Sequence, residues 1–170
     1  MKEESLYLLN STNAEILRCA QNDMGHAMFK KILVALDHSN ADAALLPRVK
    51  ELARLTRAGV LLIHVSTGWA AQWQSDLNLS DSREMQEDRE YLERMRAELE
   101  REGFEVEALH ALGKPSEEIL KAARAKNCDL IAMTTHGHRL LRDLLYGETI
   151  EKVRHESEIP IFLVRAGQAS

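Results

Sequence analysis

Four mostly continuous apolar runs, separated by stretches with helical spacing, restrict this chain to an α/β architecture. The runs are residues 32–36, 60–65, 129–133 and 161–164. They lack the polar alternation of half-exposed strands and read as parallel strands covered on both faces. A weaker, partly alternating segment, Val106 to Leu112, makes a fifth strand. The first intervening helix places Leu45, Val49, Leu52 and Ala53 on one face, with N-cap candidates in Asp37-His38-Ser39-Asn40 and Gly59 just past its end. A long helix follows, opened by Asp81 with Glu84 at capping-box spacing and closed by Gly103; its inner face is Tyr91, Met95 and Leu99. Pro115 and Ser116 start a short helix with Ile119, Leu120 and Ala123 inward. Gly147 is read as opening the last helix, with Ile150 and Val153 inward. The prediction is a five-stranded parallel, doubly wound (Rossmann-like) sheet with helices on both faces.

The 170 residues suffice for one core and not two. The domain is expected over 28–166, with a short tail at 167–170. Residues 1–27 mix Asn, Ser, Thr and Gln with scattered apolar residues, and are expected to be a disordered extension or a start set too far upstream. Met24 and Met28 offer later starts.

Composition narrows the function classes. A net charge of -5 without a basic stripe argues against nucleic-acid binding. No apolar run approaches the roughly 20 residues that cross a bilayer, and no secretory signal opens the sequence. Cys19 and Cys128 form no CxxC motif, and Cys128 reads as a small buried hydrophobe. The expectation is a cytoplasmic protein with no membrane partner.

In doubly wound sheets, ligands sit outside the carboxyl ends of the strands where the strand order reverses. That directs attention to Asp37, to Val65 and Ser66, and to Thr134-Thr135-His136-Gly137. Gly137 permits a tight turn, and a helix starting at Gly147 would offer free N–H groups to an anion. Spacing alone makes this a weak phosphate cradle. His64, inside a strand, reads as a hydrogen-bonded core residue. His136 lacks a carboxylate at metal-ligand spacing, so no metal site is assigned. There is no Gly-x-Ser-x-Gly elbow and no Walker-type sequence, and no catalytic residue is assigned. Trp69 and Trp73 fit either a pocket cover or plain packing, and Arg83 to Glu102 reads as a solvated helix face with pairs such as Glu90–Arg94.

From Phe29 to Arg165 the sequence resembles the universal stress proteins. The resemblance rests on residues 31–37 (KILVALD), 62–65 (LIHV), 113–119 (GKPSEEI), 128–137 (CDLIAMTTHG), 144–147 (LLYG) and 159–165 (IPIFLVR). It implies a regulatory or protective module without dedicated turnover that binds an adenine nucleotide (ATP, ADP or AMP), with Mg as an accompanying ion. The implied binding residues are Leu36, Asp37, Val65, Met133, Thr134, His136, Gly137, Gly147, Glu148 and Thr149, with Asp37 and Val65 on the adenosine side. ATP-binding members show G-x-x-G, nine residues, then Gly and Ser or Thr. Here the spacing survives as Thr134, Gly137, Gly147 and Glu148, but the first glycine and the final hydroxyl residue are replaced. Glu148, read as lying in the first helical turn, complements the helix dipole yet repels terminal phosphates. Thr149 is the alternative hydroxyl, and His138, Arg139 and Arg142 are loop cations. The resemblance also implies a homodimer pairing Ile161 to Val164 across a two-fold axis, with a further protein partner unspecified. The alternative is a member that has lost the nucleotide and acts through dimerisation and protein contacts. An ATP-pyrophosphatase-type ligase is disfavoured because Asp37-His38-Ser39-Asn40 contains no glycine.

Overall fold

The computed structural model describes residues 28–67, 83–135 and 144–166. Expectations for 1–27, Trp69, Trp73, Asp81, His136, Gly137, His138, Arg139, Arg142 and the 167–170 tail lie outside these. Within them the order is β1 (Lys31–Leu36), α1 (Asp42–Thr56), β2 (Gly59–Ser66), α2 (Arg83–Arg101), β3 (Val106–Leu112), α3 (Pro115–Ala125), β4 (Leu130–Thr135), α4 (Leu144–Glu156) and β5 (Ile161–Arg165). The five strands form one sheet in the order β3-β2-β1-β4-β5, every neighbouring pair parallel. The chain winds outward from β1 to β3, then crosses back to lay β4 on the other side of β1. The switch point is therefore the β1/β4 junction.

Strand alternation splits the core into two layers. Ile32, Val34 and Leu36 of β1 join Val60 and Leu62 of β2 beneath α1 and α2, where Leu45, Val49, Ala53, Leu92 and Leu99 are buried. Leu33, Leu61, Ile63, Val65, Ile131 and Met133 face the other way, onto Ile119, Leu120 and Ala123 of α3 and Val153 of α4. The interior strands β1, β2 and β4 bury apolar residues on both faces, which explains their continuous runs. β3, at an edge, is buried only at Ala111 and alternates weakly for that reason.

The capping expectations change in detail. The N-cap of α1 is Ala41, with no side-chain cap bond; Asp42, inside the helix, reaches back to the amides of Asp37 and His38. The helix ends through Arg57 in the left-handed region (φ 56°), before Gly59, which begins β2. In α3 Pro115 occupies the first turn, as its missing N–H favours. Gly113, at φ +139°, makes the turn from β3 into α3 in a conformation that side chains rarely adopt. β4 continues through Thr134 and Thr135, so these threonines extend the sheet. Asp129, just before β4, accepts from the amides of Lys30 and Lys31 and ties the start of β4 to β1. Along α2, Arg83 pairs with Glu87 and Arg96 with Glu93 and Glu100, while Arg94 lies over the Tyr91 ring at 5.4 Å and forms no Glu90 pair.

Last-helix placement needs correction. α4 begins at Leu144, so Gly147 lies within its opening turn and does not start it. No acidic residue occupies that turn, so Glu148 stands beyond it. The apolar pair Leu144-Leu145 extends the helical pattern upstream of the glycine, which a reading anchored on Gly147 as a cap passes over.

Candidate functional site

A cleft opens at the carboxyl ends of β1, β2 and β4, lined also by α3 and α4. Its walls are Ala35, Leu36, Asp37, Ile63, Val65, Pro115, Ile119, Met133, Thr134, Thr149 and Ile150. The structure thus brings together Leu36, Asp37, Val65, Met133, Thr134 and Thr149 of the expected binding set. Glu148 is exposed and lines no part of the cleft, whereas Thr149 is buried to 5% exposure and does. Sequence reasoning missed Ala35 and Ile63; period two puts Ile63 on the same face as Val65, and the β1/β2 register sets Ala35 beside Ile63. It also missed that the inward residues Ile119 and Ile150 close the opposite wall.

Chemically the cleft is a slot with apolar sides and a polar rim. Val65, Met133, Ile119 and Ile150 suit a flat, weakly polar ring, and Asp37, Thr134 and Thr149 supply acceptor and hydroxyl groups. Among the described residues, no group of His, Cys, Asp and Glu is arranged to hold a metal ion.

The exit from β1 is held by side chains of the neighbouring helices. Asp42 accepts from the amides of Asp37 (3.2 Å) and His38 (3.0 Å) and from the Tyr91 hydroxyl (2.8 Å). Asp37 in turn accepts from the Ser39 amide at 3.0 Å. His38 takes a positive φ of 59°, a conformation costly for a non-glycine residue. Its ring is fixed by a 2.9 Å bond to Asp88 and by stacking on Tyr91, with centroids 4.1 Å apart.

Burial, then the charge of Asp37, pushes the Asp42 carboxyl up from 3.8 to about 6, against the opposing hydrogen bonds from Tyr91 and the Asp37 amide. A folded value above the unfolded one means that the folded state binds more protons between these limits. Stability from this group is complete below about pH 4 and falls as pH rises to about 6. Asp42→Asn keeps an acceptor for the amides and removes this dependence. The variant should gain about 1–3 kcal/mol relative to wild type between pH 4 and pH 7 in urea unfolding. An unchanged difference between the two pH values would contradict the assignment.

A second polar cluster lies beneath α2, on the other face of the sheet from the cleft floor. Asp88 of α2 accepts from His38, from Ser66 Oγ (2.7 Å) and from His64 Nε2 (3.1 Å). His64 also bonds the Leu36 carbonyl at 2.9 Å, the buried structural role expected of it. Asp88 and Leu92 were passed over in the sequence because α2 is dominated by charge; Asp88 looks like one more solvated carboxylate. Cys128 is buried, and desolvation pushes its thiol up to about 11, in keeping with a packing role.

Fold and cleft together define a class, an α/β domain with a cleft at the switch point of a doubly wound sheet. The sequence model of the universal stress protein family matches residues 28–165, and the chain belongs to that family. It is 29% identical over 155 residues to universal stress protein MJ0577 of Methanocaldococcus jannaschii, covering 81% of this chain and 96% of that one. Universal stress protein YxiE of Bacillus subtilis is 28% identical over 148 residues, covering 81% of this chain and all of the relative (100%). The solved structure of MJ0577 superposes with a TM-score of 0.69 at 30% identity, covering 84% of this chain and 99% of that one. A universal stress protein from Archaeoglobus fulgidus, solved with dAMP, shares the fold at TM-score 0.60 and 20% identity, covering 79% and 97%.

Proposed function

We propose that the protein is a regulatory or protective module that binds an adenine nucleotide in the β1/β4 cleft without dedicated turnover. The observation that carries this reading is the convergence of Asp37, Val65, Met133, Thr134 and Thr149 on one slot with apolar walls. Two proteins of this fold were solved with dAMP and with cAMP, which supports the ligand class. On this reading the adenine ring lies beside Val65, Met133 and Ile119, with Asp37 at the ribose side and the phosphates directed toward α4. The motif departs from that of ATP-binding members at Glu148, which lies exposed on α4 beside the cleft-lining Thr149. Any Mg ion would rest on the phosphates, since the described residues offer it no ligand set.

Glu148 on α4 favours fewer terminal phosphates. Calorimetric titration should therefore rank AMP and ADP ahead of ATP for the wild type. Glu148→Ser should tighten ATP by up to roughly fivefold, the scale of one exposed charge interaction, and leave AMP nearly unchanged. Absence of binding by either form would favour the second reading, a member acting through protein contacts alone, to which the replacements at Thr134 and Glu148 point.

The proposal includes a cytoplasmic homodimer. β5 has β4 on one side and forms the edge of the described sheet, with Leu163 40% exposed. Pairing of Ile161 to Val164 with its twin would satisfy that edge. Light scattering at micromolar concentration should give twice the monomer mass; a monomer would exclude this arrangement.

A further inference from the structure

We propose that His64 and Asp88 are positioning residues for the adenine side of the cleft: a doubly protonated His64 ties the Leu36 carbonyl to Asp88, and loss of one proton loosens residues 36–39 and weakens the ligand. The inference rests on the nucleotide reading of the cleft and names a regulation of that site.

The protonation follows from donor and acceptor chemistry. His64 Nδ1 lies 2.9 Å from the Leu36 carbonyl, and Nε2 lies 3.1 Å from Asp88 Oδ2. A carbonyl and a carboxylate only accept, so each nitrogen must donate, whereas a neutral imidazole has a single N–H. The rest of the cluster is consistent with an ionised Asp88. Arg89 Nε donates to His110 Nδ1 at 3.2 Å, which leaves the His110 proton on Nε2, facing Ser66 Oγ at 2.7 Å. Ser66 then donates onward to Asp88 Oδ2, and His38 Nδ1 donates to Oδ1. The same tautomer prevents His110 from acting as a base toward Ser66. Burial pushes the Asp88 carboxyl up, but hydrogen bonds from His38 and Ser66 and the charge of His64 hold it below the usual range.

The groups facing His64 come from every neighbouring element. They are Asp88 from α2, the Leu36 carbonyl and the His38 ring edge (centroid 6.3 Å) from β1 and its exit, Ser66 from its own strand, and the parallel His110 ring (6.0 Å) from β3. Asp42 of α1 holds the adjoining amides of Asp37 and His38. When His64 loses a proton, its bond to either the Leu36 carbonyl or Asp88 is lost. Leu36 and Asp37 line the cleft, so the disturbance reaches the ligand through the backbone.

The test uses adenosine, which is uncharged across the range, so phosphate titration does not intrude. Affinity is measured between about pH 5 and pH 8, the span in which imidazoles exchange protons, alongside ¹⁵N spectra of the histidine side chains. Expected are two protonated nitrogens on His64 at low pH, a roughly tenfold loss of affinity with the His64 midpoint, and a flat, weak profile for Asp88→Asn. A bare ring nitrogen on His64 throughout, or a flat wild-type profile, overturns the proposal whether or not the variant folds. Absence of adenosine binding at every pH is a failure of the nucleotide reading. In that case the latch stands only if the amide resonances of residues 37–39 move with the His64 midpoint, and falls if they do not.

Discussion

Replacing Asp88 with alanine is expected to lower the unfolding free energy by about 3–5 kcal/mol, the cost of breaking a buried ion pair from one side. Three donors converge on this carboxylate, from the β1 exit (His38) and from β2 (His64 and Ser66), and alanine leaves all of them facing a cavity. The substitution also removes the tether that holds His38 at its positive φ. In a protein of this size the shift in Tm should be roughly 6–20 °C. The pH dependence identifies the cause. A carboxyl held below its ordinary 3.8 contributes fully above about pH 4 and loses that contribution as pH falls through the depressed folded value. The gap between wild type and variant should therefore persist at neutral pH and close only in strong acid. A gap below 1 kcal/mol at pH 7 would show that the cluster is solvated and does not pin α2 to the sheet.

Ala35→Leu is expected to cost the adenine ligand about 2–3 kcal/mol, or roughly a hundredfold in affinity. Ala35 sits near the end of β1 with its side chain on the cleft floor, beside Ile63 and Met133. The larger side chain projects into the space assigned to the ring, whereas the strand backbone and its partners, Ile63 in β2 among them, are untouched. Overpacking strain is relieved because the residue faces an open slot, so stability should change by less than about 1 kcal/mol. Titration with AMP, paired with urea unfolding, separates the two effects. Unchanged affinity in a folded variant would move the ligand out of this cleft.

Most of the sheet was legible because its central strands are buried on both faces, which gives continuous runs such as 60–65 that no helix of this length would show. Two residues of the cleft wall were legible for a related reason: Asp37 and Val65 follow directly from where two such runs end. Helix boundaries were harder to read. Gly59 and Gly147 looked like helix punctuation, yet one begins a strand and the other lies inside α4; Arg57 supplies the left-handed turn that glycine usually makes. Of the Asp88 cluster only His64 was legible, as a buried hydrogen-bonded residue; the network was not, because its members come from four separate stretches of chain and each has an ordinary local reason to be polar. Only the packing of α2 across β2 and β3 shows that His38, His64, Ser66, Asp88 and His110 form one network.

Adenine-nucleotide binding in the β1/β4 cleft is the centre of this account, and its most direct test is calorimetric titration of the wild-type protein with AMP, ADP and ATP. The account predicts one saturable site, tighter for AMP and ADP than for ATP and lost in Ala35→Leu. Absence of heat and of saturation with all three nucleotides, in protein shown to be folded, would contradict it.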